Sequence, residues 1–356
     1  MTADTPGEPG PSPAPPVRSP TAALPRATLA DVARLAGVSV KTVSRVVSGE
    51  TNVRPETRDH VMRAARRLRF RPNHLARDLR RGAVSTTVGF VIGDLTNPFY
   101  SRVAAGIERT LAQHGLTMVI SATDDDPSRE ALVVQAMLER RVRSLVLVPI
   151  ARDQGYLEGE RQLGTPVVTV DRPAANLVAD SVVFANRAGA AEAVRSLLAV
   201  GHRRIAFIGS SPSLYTHGER LAGYREALAG AGVAPVSAYE RTDAPDSGTA
   251  EMAARKLMAL DEPPTAVLAG NNRASTGVLQ AWRGTARPPA FIGFDDFDLA
   301  DALGITVVAH EPEEMGRRAA LLALARQDDL DAPIEQVVLP TRLVRRGSGE
   351  HPPPAG

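Results

Sequence analysis

The 356-residue chain contains no cysteine. A disulfide framework, a cysteine-based metal site and a thiol nucleophile are therefore excluded. No stretch approaches the ~18 consecutive apolar residues of a membrane-spanning helix, and the first residues hold no apolar run long enough for a secretion signal. These absences predict a cytoplasmic protein with no membrane partner. Aromatic residues make up only 4% of the chain, so its core must be largely aliphatic.

The sequence also lacks the short motifs that mark common catalytic sites. It has no G-x-S-x-G, no Walker A loop and no H-E-x-x-H, and its seven histidines form no i, i+4 pair. The run FIGSSP (207–212) lacks the glycine spacing that cradles a dinucleotide. We therefore predict no enzymatic activity, no cofactor and no bound metal. His202 is expected to finish a helix and to satisfy a backbone partner.

The net charge of +2 conceals a strong division along the chain. Residues 26–82 hold fourteen Lys or Arg against five Asp or Glu, a net charge of +9. Since residues 1–25 carry −1, residues 83–356 carry −6. A basic segment ahead of an acidic body is the electrostatic footprint of phosphate-backbone binding, although a solvated, charge-rich helix face is the alternative. Residues 1–25, rich in Pro, Ala, Ser and Gly, are expected to form a disordered leader.

Two short helical patterns joined by a glycine occupy the start of the basic segment. Apolar residues recur at helical spacing after Thr28, a suitable N-cap, until Gly37 interrupts them. Ser39 then caps a second helix, whose outer face carries Val40, Lys41, Ser44 and Arg45. This pattern is typical of a helix-turn-helix that binds DNA. A third helix is predicted from Pro55 to about Leu68.

Beyond Gly82 the pattern changes to short apolar runs that alternate with helical segments. Such runs predict strands buried on both faces of parallel sheets, and the alternation predicts two successive doubly wound lobes. Lobes of this kind bind ligands where the carboxyl ends of their strands face each other. The predicted strands are 88–93, 116–121, 144–149, 166–171, 181–184, 204–209, 236–239, 266–270 and 290–294, and the predicted helices are 98–113, 128–141, 153–163, 187–200, 218–230, 248–259 and 274–283.

Several runs, in order along the chain, carry a family resemblance. They include DVARLAGVSVKTVSRVVSG (31–49), FRPNHLARDLRRG (70–82), VGFVIGDLTNPFY (88–100) and FIGFDD (291–296). They resemble the lactose-repressor and purine-repressor (LacI/GalR) family of bacterial transcription regulators. The resemblance implies an N-terminal all-α helix-turn-helix domain with a hinge helix, then an α/β periplasmic-binding-protein-like core of two doubly wound parallel-sheet lobes. It also implies a homodimeric repressor that binds a pseudo-palindromic double-stranded DNA operator and a small-molecule effector.

The expected domain boundaries follow from the patterns and the resemblance together. The helix-turn-helix domain spans 26–72, the hinge helix 73–82 and the core 83–346. Lobe 1 is expected over about 83–185 plus 312–340, and lobe 2 over about 186–311 plus 341–346. The final residues, 347–356, are expected to be a disordered tail.

The resemblance assigns DNA contacts to individual residues. Val40, Lys41 and Arg45 match positions that meet base edges in the major groove, whereas Ser39, Thr42 and Ser44 are expected to hold phosphates. In the hinge segment Leu79 matches a wedge inserted into the minor groove, with Asn73, Ala76 and Arg80 beside it. Packing of an ordinary linker helix on the body is the alternative for that segment. Asp78 departs from the family pattern, because a carboxylate so near phosphates should weaken the contact unless a neighbouring arginine neutralises it.

Polar residues after the predicted strands nominate the ligand cleft. Asp94, Asn97 and Tyr100 follow the first strand, and Asp124 follows the second. Asp171 and Arg172, after the fourth strand, are expected to be structural.

The resemblance implies that Arg220, Asn271 and Asp295 hydrogen-bond the effector while Tyr100 forms an aromatic wall. Asn272 and Arg273, directly after Asn271, are also expected to contact the effector. A guanidinium and a carboxylate on opposite lobes would orient a polar ligand and close the cleft. An ion pair between Arg220 and Asp295 is the alternative.

Two departures from the family bear on the ligand. Ala185 stands where many sugar-binding members have Asp, and Asn271-Asn272-Arg273 stands where they have Asn-Asp. Two carboxylates are thus lost and a cation is gained. Within the expected class of sugars and sugar derivatives, this suggests a ligand more anionic than a neutral sugar, such as a sugar phosphate or a carboxylate-bearing metabolite. A DNA-binding regulator with a degenerate, ligand-independent core and a solute-binding protein remain the alternatives; the basic helix-turn-helix argues against the second.

Overall fold

The computed structural model describes residues 27–50, 52–71 and 85–354. The chain forms two compact units, Met1–Ala83 and Val84–Gly356, which are considered separately. The expected leader (1–25) and hinge helix (73–82) lie outside the described residues. So do the hinge residues predicted to touch DNA, together with the departure at position 78: Asn73, Ala76, Asp78, Leu79 and Arg80.

The first unit contains the three helices that the sequence predicts: α1 (Leu29–Ala36), α2 (Val40–Val47) and α3 (Pro55–Arg67). Thr28 begins α1 with a capping box, in which its hydroxyl accepts from the Asp31 N–H and its own N–H donates to the Asp31 carboxylate. Gly37 lies in the left-handed region at φ +59°, which allows the tight turn before α2. A small aliphatic core centred on fully buried Val32, Val43 and Val61 holds the three helices together.

Lobe 1 of the second unit is a six-stranded, entirely parallel sheet in the order β11-β5-β4-β3-β1-β2. Its strands are β1 (Thr87–Ile92), β2 (Thr117–Ala122), β3 (Leu145–Leu147), β4 (Val167–Val170), β5 (Asp180–Phe184) and β11 (Gln336–Leu339). Its helices are α4 (Pro98–Gln113), α5 (Pro127–Glu139), α6 (Glu158–Gln162) and α11 (Pro312–Asp328).

The helix predicted over 153–163 is confirmed in its position but not in its type: a 3-10 turn at Gly155–Leu157 leads directly into the short α6. Fully buried Glu130 explains the difference, because its carboxylate accepts from the Ala151 N–H, Gln154 Nε2 and Tyr156 Oη. These contacts tie residues 151–156 to α5, so the regular α-helix begins only after them.

Lobe 2 repeats the architecture with the strand order β12-β10-β9-β8-β6-β7. Its strands are β6 (Ile205–Ile208), β7 (Glu240–Arg241), β8 (Ala266–Ala269), β9 (Ala290–Phe294), β10 (Thr306–Ala309) and β12 (Arg342–Val344), and its helices are α7 (Asn186–Ala199), α8 (Tyr215–Gly230), α9 (Ser247–Met258) and α10 (Asn272–Ala281). The predicted strand 236–239 is instead a 3-10 turn, Ser237–Tyr239, with the short β7 after it. The lobe also departs from an all-parallel sheet, because β12 pairs antiparallel with β10.

The chain passes between the lobes three times: from β5 to α7, from β10 to α11 and from β11 to β12. The second passage returns α11 to lobe 1, where it packs closely on α4. Gly106 and Gly316 permit this approach, because a Cβ on either would overlap a backbone carbonyl oxygen of the opposite helix. The fold class is therefore confirmed: a helix-turn-helix unit and two α/β lobes whose sheets are parallel apart from the edge strand β12.

The prediction of a disordered tail over 347–356 is wrong for residues 347–354, which fold onto lobe 2. Ser348 Oγ donates to the Phe291 carbonyl at 2.6 Å, and Glu350 Oε2 accepts from Thr306 Oγ1 at 2.8 Å. His202 Nε2 lies 3.0 Å from the His351 carbonyl oxygen, so His202 contacts a backbone group after the end of a helix. The composition of the tail does not reveal these long-range partners.

No helix in the described part of the chain is both long and apolar enough to cross a bilayer.

Candidate nucleic-acid interface and ligand cleft

The outer face of α2 is free of core contacts. Val43 and Val46 are buried, whereas Val40 is 47% exposed and Lys41 and Arg45 are exposed. A single exposed valine is common on protein surfaces, so Val40 matters here only because it shares the face with Lys41 and Arg45. This face has the mixture of apolar and cationic groups that base edges accept.

The small polar residues predicted to contact DNA first serve the helix itself. Ser39 Oγ accepts from the Thr42 N–H at 3.1 Å, and the two hydroxyls lie 2.9 Å apart. Ser39 is exposed, and Thr42 and Ser44 are half-buried. Arg45 Nε lies 3.6 Å from Glu50 Oε2, which orients its guanidinium at the end of the helix.

A cavity of about 680 Å³ lies between the lobes of the second unit. It is bounded by the loops that leave β1, β2 and β4 in lobe 1 and β6, β8 and β9 in lobe 2, where the strands of both sheets end. All nine residues predicted for effector binding line it: Asp94, Asn97, Tyr100, Asp124, Arg220, Asn271, Asn272, Arg273 and Asp295. Eight of them follow strands, as the strand-end rule predicts, and Arg220, which the resemblance nominated, lies on a helix.

Arg220 is a buried cation at the floor of the lobe 2 side. It donates to Asn186 Oδ1 at 2.8 Å and to the Gly270 carbonyl at 2.7 Å, and its NH2 lies 3.5 Å from Asp295 Oδ1. Its guanidinium carbon also lies 3.8 Å from the centre of the Phe294 ring. Burial lowers the pKa of Arg220, although the Asp295 charge opposes that effect.

Asp295 and Arg220 lie on the same lobe, so the expectation that they face each other from opposite lobes is wrong. Both groups instead form an ion pair at one wall of the cleft. Burial by itself would raise the pKa of Asp295, but the charge of Arg220 and the hydrogen bond from His310 outweigh it and hold the pKa below its ordinary value. The Asn272 N–H adds a third donor at 3.2 Å.

His310 connects this ion pair to the passages between the lobes, and the sequence patterns did not identify it. Its Nε2 lies 2.8 Å from Asp295 Oδ1, and its ring stacks on Phe184 with centroids 4.2 Å apart. Phe99 of lobe 1 meets the same ring edge-on at 5.6 Å. Because His310 follows β10 and Phe184 ends β5, the side chain joins two of the three crossovers to the cleft wall.

His217 is a second residue that the sequence patterns missed. Its Nδ1 accepts from the Ser210 N–H at 3.2 Å, and its Nε2 lies 3.3 Å from Asn271 Nδ2. Burial, followed by the charges of Arg220 and Arg172, lowers the pKa of His217 to about 3, so the ring is neutral near pH 7. Its position three residues before Arg220 on one helix was the signal that could have nominated it.

Asp171 and Arg172 line the cleft as well as forming the expected structural pair. Arg172 Nε lies 3.3 Å from Asp171 Oδ2. Burial raises the pKa of the adjacent Tyr100 hydroxyl, which keeps it protonated. Burial also raises the pKa of Asp125, against the charge of Arg172, and the carboxylates of Asp171 and Asp124 add to that increase. The lobe 1 wall is thus rich in carboxylates.

The start of α10 reaches across the cleft from lobe 2. Asn271 caps the helix, accepting from the Ala274 N–H at 2.7 Å. Asn272 Nδ2 donates to Asn97 Oδ1 of lobe 1 at 3.0 Å. Arg273 NH2 contacts the Asp94 carboxylate, and its NH1 lies 3.9 Å from Asp125 Oδ2. Three predicted ligand residues are therefore engaged with protein groups: one caps the helix and two bridge the lobes.

Comparisons with known proteins agree with this geometry. A family model described as bacterial regulatory proteins of the lacI family matches residues 28–73, and one described as a periplasmic binding protein-like domain matches residues 194–349. Catabolite control protein A of Priestia megaterium is 32% identical over 332 residues, covering 90% of this chain and 98% of its own. The ribose operon repressor of Escherichia coli K12 is 31% identical over 329 residues, covering 90% and 99%.

A solved structure of the transcriptional regulator CelR in complex with cellobiose is also similar. It superposes with a TM-score of 0.67 at 29% identity, covering 90% of this chain and 99% of that one. The exposed α2 face, the two-lobed core and relatives that match nearly end to end together identify the fold and the class of protein. The chain belongs to the LacI family of DNA-binding bacterial transcription regulators.

Proposed function

We propose that the protein is a dimeric repressor whose operator binding is controlled by a small polar effector in the inter-lobe cleft. The observation that carries this proposal is that two features occur in the same chain. One is the exposed, cationic α2 face, and the other is a cavity of about 680 Å³ lined by polar groups. Val40, Lys41 and Arg45 meet base edges, and Ser39, Thr42 and Ser44 meet phosphates. The hinge segment 73–82 transmits lobe closure to the DNA-binding unit.

The charges around the cleft favour a neutral, polyhydroxylated effector. Each of the three guanidiniums lining it has a carboxylate neighbour: Arg172 has Asp171, Arg220 has Asp295 and Arg273 has Asp94. The sequence hypothesis of an anionic ligand depended on Arg273 as a gained cation, and that cation is already paired. Six lining carboxylates against three guanidiniums would repel a phosphate. A sugar without a phosphate carries no charge to be repelled, and its hydroxyls can hydrogen-bond to the polar groups that line the cleft.

The names of two relatives support the same ligand class. One is a ribose operon repressor, and one structural neighbour holds cellobiose. We expect calorimetric titration to show heat of binding for a neutral mono- or disaccharide and at least a tenfold weaker response to its phosphate ester, a difference of ~1.4 kcal/mol. Tighter binding of the phosphate would contradict the assignment. Binding of neither, with operator affinity unaffected by a broad set of sugars, would favour a ligand-independent core.

A substitution on α2 tests the DNA-binding part of the proposal. Lys41→Ala is expected to relax sequence preference at one base position, with a loss of ~1–3 kcal/mol there. Thr42→Ala is the matched control, because loss of a phosphate contact should weaken binding to all sequences alike. Selection of bound sites from random DNA separates the two outcomes. An unchanged preference in Lys41→Ala would exclude a base contact by this residue.

The edge strand of lobe 1 supports a dimer. Val119 and Ile120 on β2 are 41% and 39% exposed, although the apolar run 116–121 is typical of a strand covered on both faces. β2 is also an outer strand, so one of its edges has no strand neighbour within the described sheet. A second copy covering this strand would bury the apolar groups, and the resulting dimer would supply two α2 helices for two operator half-sites.

A further inference from the structure

The mouth of the cleft is closed by protein groups from both lobes. Arg273 extends from the first turn of α10 in lobe 2 to the Asp94 carboxylate after β1, and Asp125 after β2 lies within 3.9 Å of the same guanidinium. Asn272 adds a hydrogen bond of 3.0 Å to Asn97. We propose that Arg273 is an ionic clasp that holds the two lobes together and sets the balance between their open and closed arrangements.

The placement of Arg273 within α10 supports a role outside the helix. The amino end of a helix carries partial positive charge, so a cation in the first turn is unfavourable there. Asn272 and Arg273 directly follow the N-cap Asn271, and Arg273 therefore weakens its own helix end. A local conflict of this kind is expected where a residue serves another part of the molecule. The carboxylates of Asp94 and Asp125 across the cleft compensate it.

Lobe 1 is built to receive the cation. The Asp94 carboxylate is fixed by the Thr96 N–H at 2.7 Å, so its position does not depend on Arg273. Gly93, directly before it, leaves space for Asp125, because a Cβ at position 93 would overlap the Asp125 carboxylate. Asp171 and Asp124 add further negative charge; burial, with these two charges adding to it, raises the pKa of Asp125 against the charge of Arg172. Separating the lobes leaves these carboxylates without the Arg273 charge, and closing them restores it.

The clasp uses protein atoms alone, so it contributes to closure with or without an effector. Arg273 and Asp94 are 30% and 20% exposed, which permits screening by salt. A partly exposed ion pair shifts an equilibrium by about two- to fivefold. A contribution of this size keeps the open and closed arrangements close in free energy. A ligand that binds one of them only modestly more tightly is then enough to shift the populations.

The absence of native cysteine makes a direct distance measurement simple. Spin labels on Leu132→Cys of α5 and Met252→Cys of α9 report the separation of the lobes, since both positions are highly exposed. The doubly labelled full chain is mixed with excess unlabelled chain, so that only distances within one chain contribute. Arg273→Gln is expected to raise the ratio of open to closed populations about two- to fivefold, and raising the salt from ~0.05 to ~0.5 M should shift the unsubstituted chain in the same direction.

Arg129→Gln is the matched control, because Arg129 contacts Asp124 at the same mouth but within lobe 1. Its distance distribution should match that of the unsubstituted chain. Equal distributions in Arg273→Gln and the unsubstituted chain would overturn the clasp, and so would equal shifts in both variants. Melting followed by circular dichroism confirms that each variant is folded. The experiment uses neither DNA nor effector, so its failure would leave the proposed function untouched.

Discussion

Asp295→Ala is expected to lower the free energy of unfolding by about 3 kcal/mol, because it leaves a buried guanidinium without its carboxylate. The side chain of Arg220 is 6% exposed, and that of Asp295 is 12% exposed. The loss should fall at the lower end of the range for buried pairs, since Arg220 keeps its hydrogen bonds to Asn186 and to the Gly270 carbonyl. His310 loses its partner as well. Urea denaturation followed by circular dichroism measures the change.

The neighbouring carboxylate provides the control. Asp296 accepts two hydrogen bonds from Arg346, at 2.7 and 2.9 Å, but this pair is more exposed. Asp296→Ala should therefore cost less than ~1 kcal/mol. If the two variants lose similar amounts of unfolding free energy, the loss in Asp295→Ala does not come from the burial of the Arg220–Asp295 pair. Of these two residues only Asp295 lines the cleft, so only Asp295→Ala should also weaken effector binding.

The two members of the pair differ in how well burial is compensated. Asp295 receives Arg220, His310 and the Asn272 N–H, and these three donors hold its pKa below the ordinary value in spite of burial. Arg220 has one carboxylate, and burial lowers its pKa. The burial of the Arg220 charge is therefore only partly compensated, and removing Asp295 leaves that charge without its carboxylate partner. An effector hydroxyl that accepts a hydrogen bond from Arg220 would lower the cost of burying that charge, so a bound effector should raise the free energy of unfolding.

Local patterns were sufficient to predict most elements up to Phe294 and the edge of each sheet where the cleft lies. Caps such as Thr28 and Ser39 depend on a few neighbouring residues, and the ends of apolar strands place Asp94 and Asp295 at one edge of each sheet. Such relations require only short-range chemistry and the topology of parallel sheets. Together with the family resemblance, which nominated Arg220 on a helix, this reasoning placed all nine predicted residues around one cavity.

Contacts between distant segments could not be predicted in this way. His310 has importance only because β10 brings it beside Phe184 and Asp295, and Arg273 pairs only because the lobes face each other. Residues 347–354 have the composition of a free tail, yet Ser348 and Glu350 satisfy groups on β9 and β10. In each case the partner lies far away in sequence, and the periodicity of apolar residues gives no information about contacts of that kind.

Ile120→Asp is expected to convert the proposed dimer to a monomer and to weaken operator binding by about 10²–10⁴-fold. A dimer holds its second α2 near the second half-site once the first is bound, and a monomer loses that advantage. A carboxylate placed at the centre of an apolar interface also carries a desolvation cost that has no compensating partner. Sedimentation velocity reports the assembly state, and fluorescence anisotropy with a labelled operator reports the affinity.

Leu132→Asp is the control for this prediction. Leu132 lies on α5 of the same lobe and is 71% exposed, more than Ile120 at 39%, but it is not on the edge strand. Both substitutions are at exposed positions, so each should change folding stability by less than ~0.5 kcal/mol. Only Ile120→Asp should change the sedimentation coefficient. A dimeric Ile120→Asp chain would place the interface elsewhere, and a monomeric one with full operator affinity would refute binding by two coupled half-sites.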